Sequence, residues 1–190
     1  MTPRRGTAPG LGHNLGPSLD PGRGWRRYAW ARAKRDGLPK APIEAVRRHV
    51  ARAAALGLPY PDYAAIRLGT GRDVAALLFT GGALLCASGE ARQARLSRLP
   101  RAERLLLAGR GGAAHAPAEA LGIGFAARGP LPEPETSEGA RRRALRAVLD
   151  LPRLPGDAVV LIAPLPRQRA WAEAARLAGF VPATRYFGDG

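Results

Sequence analysis

Six apolar residues in a row, Ala158-Val-Val-Leu-Ile-Ala163, stand between Asp157 and the breaker Pro164-Leu-Pro166. So short a run, with no polar side to offer water, reads as a strand buried inside a sheet. Leu105-Leu-Leu-Ala108, ending in Gly109-Arg-Gly-Gly112, reads the same way. Weaker strands are expected over 121–127 and 180–187, and helices over 141–149 and 167–178, the second stopped by Gly179. Residues 129–139, holding Pro130, Pro132 and Pro134, read as a linker or surface loop. The order β-β-α-β-α-β over 105–187 predicts an α/β protein with a small, mostly parallel sheet and flanking helices; an α+β arrangement is the alternative.

The first half has the helical period. Pro42 suits the first turn of a helix whose buried stripe is Ile43, Val46, Val50, Ala53 and Ala54, with Arg47, Arg48 and Arg52 on the wet side and Gly57 as its stop. Asp62 opens a second helix carrying Tyr63, Ile66 and Arg67, and Gly69 closes it. Thr70 with Asp73 forms an acidic version of a capping box, so Val74 to Phe79 is expected as a third helix, and an arginine-rich helix follows over 90–99. Upstream, Trp25, Tyr28, Ala29 and Arg32 share a helical face over 23–35, ended by Gly37 and Pro39. Residues 1–22, with Leu11, Leu15 and Leu19 as their larger apolar groups, bury too little to offset ordering entropy and are expected as a disordered tail. The expected division is a tail over 1–22, a basic helical module over 23–100 and an α/β module over 101–190, or one continuous domain over 23–190.

Thirty basic residues against fifteen acidic ones give a net charge of +15, of which +9 falls in residues 1–60, +4 in 61–130 and +2 in 131–190. Such asymmetry favours a polyanionic partner: nucleic acid first, an anionic membrane surface second. Only Lys34 and Lys40 are lysines. A GC-rich codon bias accounts for much of that, so bidentate phosphate recognition is not read from it. Cys86 is the only cysteine, which excludes an intrachain disulfide and a cysteine zinc site. No apolar run has the length of a membrane span, and the start Met1-Thr-Pro-Arg-Arg5 is not followed by an apolar signal core, so the cytosol is the expected compartment.

Gly12-His-Asn14, Gly16-Pro17, Trp25-Arg-Arg27 and Trp30 together resemble the start of a group of bacterial proteins to which no activity is assigned. The likeness continues through Pro42-Ile-Glu44, Tyr63-Ala64, Ile66-Arg67 and Thr70-Gly-Arg-Asp73 to Ala178-Gly-Phe180 and Arg185-Tyr-Phe187. The Gly-His-Asn opening is also similar to tails on some bacterial nucleoid-associated and phage-related proteins. The resemblance implies which positions matter, not what they do.

Among the motifs, His13 and Asn14 lie in a short segment that suits docking into a partner groove, with an idle tail as the alternative. No second metal ligand stands near them. Trp25 and Trp30, interleaved with Arg23, Arg26, Arg27 and Arg32, suit nucleic acid, because guanidinium neutralises phosphate and indole stacks on bases. The alternative is an amphipathic helix packing its rings on the body. Residues 60–79 can be laid on a helix-turn-helix, but the second helix would offer Val-Ala-Ala-Leu-Leu-Phe to the groove, and a plain helical core reads better. Gly109-Arg-Gly-Gly112 after a strand suggests a phosphate loop, though no Walker lysine follows. Arg167 and Arg169 stand where a helix start would favour an anion, against the plainer reading of a solvated first turn. His49, His115 and Cys86 form no catalytic constellation, and Cys86 reads as an inert buried thiol.

The sequence thus predicts a non-enzymatic protein without cofactor or metal. It would contact the backbone of nucleic acid, without base preference, through Arg23, Arg26, Arg27, Arg32, Arg47, Arg48 and Arg52. The first alternative is an adaptor docking on an acidic protein partner through its tail and the Trp25/Trp30 helix. The second is a small nucleotide-binding or acyltransferase-like enzyme using the strand ends at 109–112 and 164–169.

Overall fold

The computed structural model describes residues 42–109, 123–133 and 135–188. In chain order the first half gives α1 (Ile43–Leu56), α2 (Tyr60–Thr70), β1 (Ala76–Thr80), α3 (Gly81–Leu84), α4 (Gly89–Ser97) and β2 (Arg104–Ala108). After these come β3 (Ala127–Pro130), α5 (Glu138–Asp150), β4 (Val159–Ala163), α6 (Arg169–Ala174), β5 (Gly179–Pro182) and α7 (Ala183–Phe187).

The apolar runs demand burial on both faces, and they obtain it. β1 and β4 are buried at every position. All five strands are parallel, in the order β3-β2-β1-β4-β5. Alternate side chains feed two separate cores. Leu77, Phe79, Leu106, Val160 and Ile162 meet Leu56 of α1, Tyr63 of α2, Leu96 of α4, and Tyr186 and Phe187 of α7. Leu78, Leu105, Leu107, Val159 and Leu161 meet Leu145, Val148 and Leu149 of α5 and Trp171 of α6. This is an α/β protein with a parallel sheet between two helical layers, as the strand and helix order predicts. The winding starts on the central strand β1, runs outward to β2 and β3, then returns to β4 beside β1 and continues to β5: a doubly wound sheet.

Several local expectations are corrected. Val74 to Phe79 is not a third helix; its core is β1. An apolar run of six residues has the same pattern in a buried strand and a buried helix, and two cores competing for its side chains decide for the strand. Thr70 ends α2 instead of capping a new helix, and Gly71 closes α2 in the left-handed conformation (φ 69°), its N–H donating to the Arg67 carbonyl. Asp73 instead holds the turn into β1, accepting from the Tyr63 hydroxyl (2.6 Å) and the Val74 N–H (2.7 Å). The helix-turn-helix reading falls with that helix. On α1 the buried side is Ala53 and Leu56, while Ile43 (67% exposed) and Val50 (44%) face outward. The strand expected over 121–127 is placed at Ala127–Pro130, and its last two residues fall in the stretch read as a loop. The final strand stops at Pro182, and α7 turns Tyr186 and Phe187 onto Phe79 at ring-centroid separations of 5.4 and 6.2 Å. The helix expected over 167–178 is a 3-10 turn, Pro166–Gln168, followed by α6.

Ile43–Gly190 forms one compact unit, distinct from Met1–Pro42. Within it, the stretch before residue 100 supplies the central strand of the sheet. The Tyr186 hydroxyl, donating to the Leu56 carbonyl at 3.0 Å, ties the end of the chain to α1.

Candidate functional site

In a parallel sheet the loops that follow the strands all emerge at one edge. Here the loops after β2, β3 and β4 enclose a cavity of ≈ 290 Å³ lined by Gly109, Leu131, Pro132, Glu133, Leu165, Arg167, Gln168 and Trp171. Since β2 and β4 flank β1, the cavity straddles the carboxyl end of the strand from which the sheet winds both ways. The gap directly between the β1 and β4 ends is filled: a Cβ added at Gly82 would lie 3.2 Å from Pro164 Cγ.

Local chemistry fixes the walls. Pro164 and Pro166 have no N–H to give, so the chain leaving β4 bends into the 3-10 turn Pro166–Gln168. Gln168 is only 4% exposed, and its Oε1 accepts from the Leu165 N–H at 3.0 Å, pinning the turn. Arg167 projects from that turn, exposed, while the Arg169 guanidinium lies 5.6 Å over the Phe180 ring. The two arginines expected to share an anion site are therefore separated: Arg167 faces the cavity and Arg169 packs on an aromatic. Trp171, 7% exposed, forms the floor, with the Arg141 guanidinium 5.5 Å from its ring centre. Arg141 also donates to the Thr136 carbonyl, and Leu131 N–H donates to the Ala108 carbonyl at 2.7 Å, holding the β3 loop against the β2 end.

The other sequence-predicted residues fare differently. On α1, Arg47 pairs with Glu44 at 2.9 Å on the surface, and Arg48 is exposed. Arg52 turns inward, donating to Glu103 Oε1 (2.9 Å) and to the Val74 carbonyl (2.8 Å), so its guanidinium braces the entry to β1. Cys86 is exposed rather than buried, its thiol donating to the Gly82 carbonyl at 3.5 Å. His49 packs near Tyr63, with ring centroids 6.2 Å apart. His13, Asn14, Arg23, Trp25, Arg26, Arg27, Trp30, Arg32 and His115, and with them the tail, the first helix and residues 110–112 of the glycine loop, lie outside the described residues.

The strand-end loops singled out in the sequence do meet, at Gly109 and Arg167. Glu133, Gln168 and Trp171 were not foreseen. Nothing local marks Glu133 in its proline-rich stretch, and Trp171 has the look of an ordinary core aromatic. Among the described residues, no group of three or more His, Cys, Asp or Glu is placed to hold a metal, and no helix is long and apolar enough to cross a membrane. No family model, curated protein or solved structure matches this chain.

Proposed function

We propose that this chain is a small-molecule-binding protein that holds its ligand at the carboxyl edge of the sheet. The supporting observation is the convergence of three strand-end loops on one cavity beside the strand where the winding reverses. Open α/β sheets take ligands outside the carboxyl ends of their strands, and this cavity lies there, beside the filled crevice between β1 and β4 and just under the usual size of a ligand site. Its described lining combines apolar walls with one carboxylate, one guanidinium and one carboxamide, a set that suits ligand binding. Leu165 is 41% exposed, so Leu165→Trp fills the cavity from the solvent side without disturbing the core. A panel of cellular metabolites screened by thermal shift should contain compounds that raise the Tm of the parent and leave Leu165→Trp unmoved. A panel that moves both proteins alike, or neither, contradicts the proposal.

A second reading keeps the expected polyanion. The charge of +15 supports it, as do Arg48, Arg142 and Arg143, which are exposed and have no ion-pair partner among the described residues. In this reading the chain works in the cytosol on nucleic acid, without base preference, or docks as an adaptor on an acidic protein partner. Affinity for generic duplex that falls steeply between low and physiological salt supports nucleic acid. No binding at low salt removes it.

A further inference from the structure

We infer that the carboxyl-edge cavity takes a small dipolar molecule: an anionic group at Arg167, a hydroxyl or ammonium donor at Glu133, and an apolar body between them. The inference rests on the proposed ligand site and specifies its chemistry.

Arg167 and Glu133 line the same ≈ 290 Å³ cavity and carry opposite charges, yet neither side chain has an ion-pair or hydrogen-bond partner among the described residues. Elsewhere in the fold, arginines close on acids at 2.7–2.9 Å, as Arg185 does on Asp62. The Arg167 and Glu133 side chains do not close on one another. Arg167 sits in a 3-10 turn entered through Pro166 and locked by the Gln168–Leu165 bond, and Glu133 lies between Pro132 and Pro134 in the sequence. Two opposite charges lining one cavity without pairing present complementary potential to a molecule that carries both signs.

Gln168 gives an independent pointer. It is a cavity-lining side chain with 4% exposure, and its Oε1 is taken by the Leu165 N–H. Its Nε2 donor then has no partner among the described residues. The nitrogen is not sealed from solvent; it is an available donor in the cavity lining, and an anionic oxygen bound at Arg167, the preceding residue, can accept from it. The body of the ligand meets Leu131, Leu165 and Trp171, an aliphatic wall with an indole floor. A guanidinium accepts a carboxylate or a phosphate equally well in geometry, so both arms are tested.

Trp25, Trp30 and Trp171 are the only tryptophans. The full chain carrying Trp25→Phe and Trp30→Phe therefore reports on the cavity through Trp171 fluorescence alone. Four probes are titrated: 4-(aminomethyl)benzoate (carboxylate and ammonium), 4-methylbenzoate (carboxylate only), 4-methylbenzylamine (ammonium only) and 4-(aminomethyl)phenylphosphonate (phosphonate and ammonium). The expected result is that a dipolar probe binds at least about tenfold more tightly than either singly charged one, the size of one charge-assisted contact. Arg167→Gln should weaken every probe with an anionic group and spare 4-methylbenzylamine, and Glu133→Gln should weaken every probe with an ammonium and spare 4-methylbenzoate. Preference for 4-(aminomethyl)benzoate over its phosphonate analogue identifies the anion as carboxylate, and the opposite order as phosphate. Equal binding of dipolar and singly charged probes, indifference to both substitutions, or no binding of any probe overturns the inference. Thermal-shift hits blocked by Leu165→Trp would still leave the ligand site standing in those cases, and their absence would remove both.

Discussion

Gly129, in the short edge strand β3, leads directly into the Leu131–Glu133 wall of the cavity, and its missing side chain is filled by α5. A methyl added there would overlap Val148 Cγ2 and lie 3.6 Å from Val148 Cβ and 4.0 Å from Leu107 Cδ2. Val148 cannot swing away cheaply, because it is 1% exposed and a β-branched residue in a helix has one strongly preferred rotamer. Gly129→Ala must therefore push α5 off β3. An overlap this deep puts the overpacking cost toward about 2–3 kcal/mol, and the loss of glycine's unfolded-state freedom returns up to about 1 kcal/mol, leaving a net destabilisation of at least about 1–2 kcal/mol. For a domain of this size that lowers Tm by roughly 3–8 °C. Val148→Ala alone should cost about 1–3 kcal/mol through the cavity it leaves. In the double variant the new methyl occupies part of that cavity, so the two losses should fall short of additivity by about 1 kcal/mol or more. Urea unfolding of the four proteins in the cycle supplies the numbers. A Gly129→Ala variant as stable as the parent, or strict additivity, would refute the close packing of α5 on β3 and with it the placement of the β3 wall.

Other consequences are as direct. Arg153 and Arg176 sit in the left-handed region (φ 56° and 52°), each closing its helix with the paired bonds of a Schellman turn: Leu154 N–H to Leu149 O with Arg153 N–H to Asp150 O, and Leu177 N–H to Ala172 O with Arg176 N–H to Glu173 O. Arg153→Gly and Arg176→Gly should each stabilise by roughly 0.5–1 kcal/mol, measured by chemical denaturation, since glycine carries no Cβ penalty there. Burial, then the bond to Asp73, pushes the Tyr63 hydroxyl up to about 12 from its ordinary 10.0. The unfolded chain ionises first, so the stability from this group is complete below pH 10 and disappears as pH rises toward about 12. Tyr63→Phe should flatten that alkaline loss, and an unchanged profile would count against the Tyr63–Asp73 bond.

What the sequence made legible was decided by whether the deciding interactions were local. β2 and β4 are apolar runs bounded by breakers, and they stand where the pattern put them. β1 has an equally apolar run, but Thr70-Gly-Arg-Asp73 before it imitates a helix start. Its true partners, Leu105 and Leu161 beside Leu78, are 27 or more residues away in the chain. Ala-Arg-Gly-Pro has little strand propensity, and β3 is a strand because β2 offers it an open edge, where Pro130 is tolerated. Tyr186 and Phe187 looked like strand residues; their packing on Phe79 rather than their propensity decides α7. The site divides similarly. Gly109 and Arg167 were visible as strand-end loops, whereas their meeting across β1 depends on the sheet order. Arg52 belonged to the wet side of α1 by period alone, and Glu103, 51 positions later, turns it inward.

The central claim is that the carboxyl-edge cavity is the ligand site, and the most direct measurement is an NMR titration of the full chain with a compound that stabilises it. The Trp171 indole N–H, the Gln168 side-chain amide and the Leu165 and Glu133 backbone amides report on the cavity, and the Arg47 and Arg48 amides report on α1, which packs on the opposite face of the sheet from Trp171. The account predicts saturating shifts confined to the first group and lost in Leu165→Trp. Shifts centred on the arginine amides, or shifts that survive in Leu165→Trp, would contradict it.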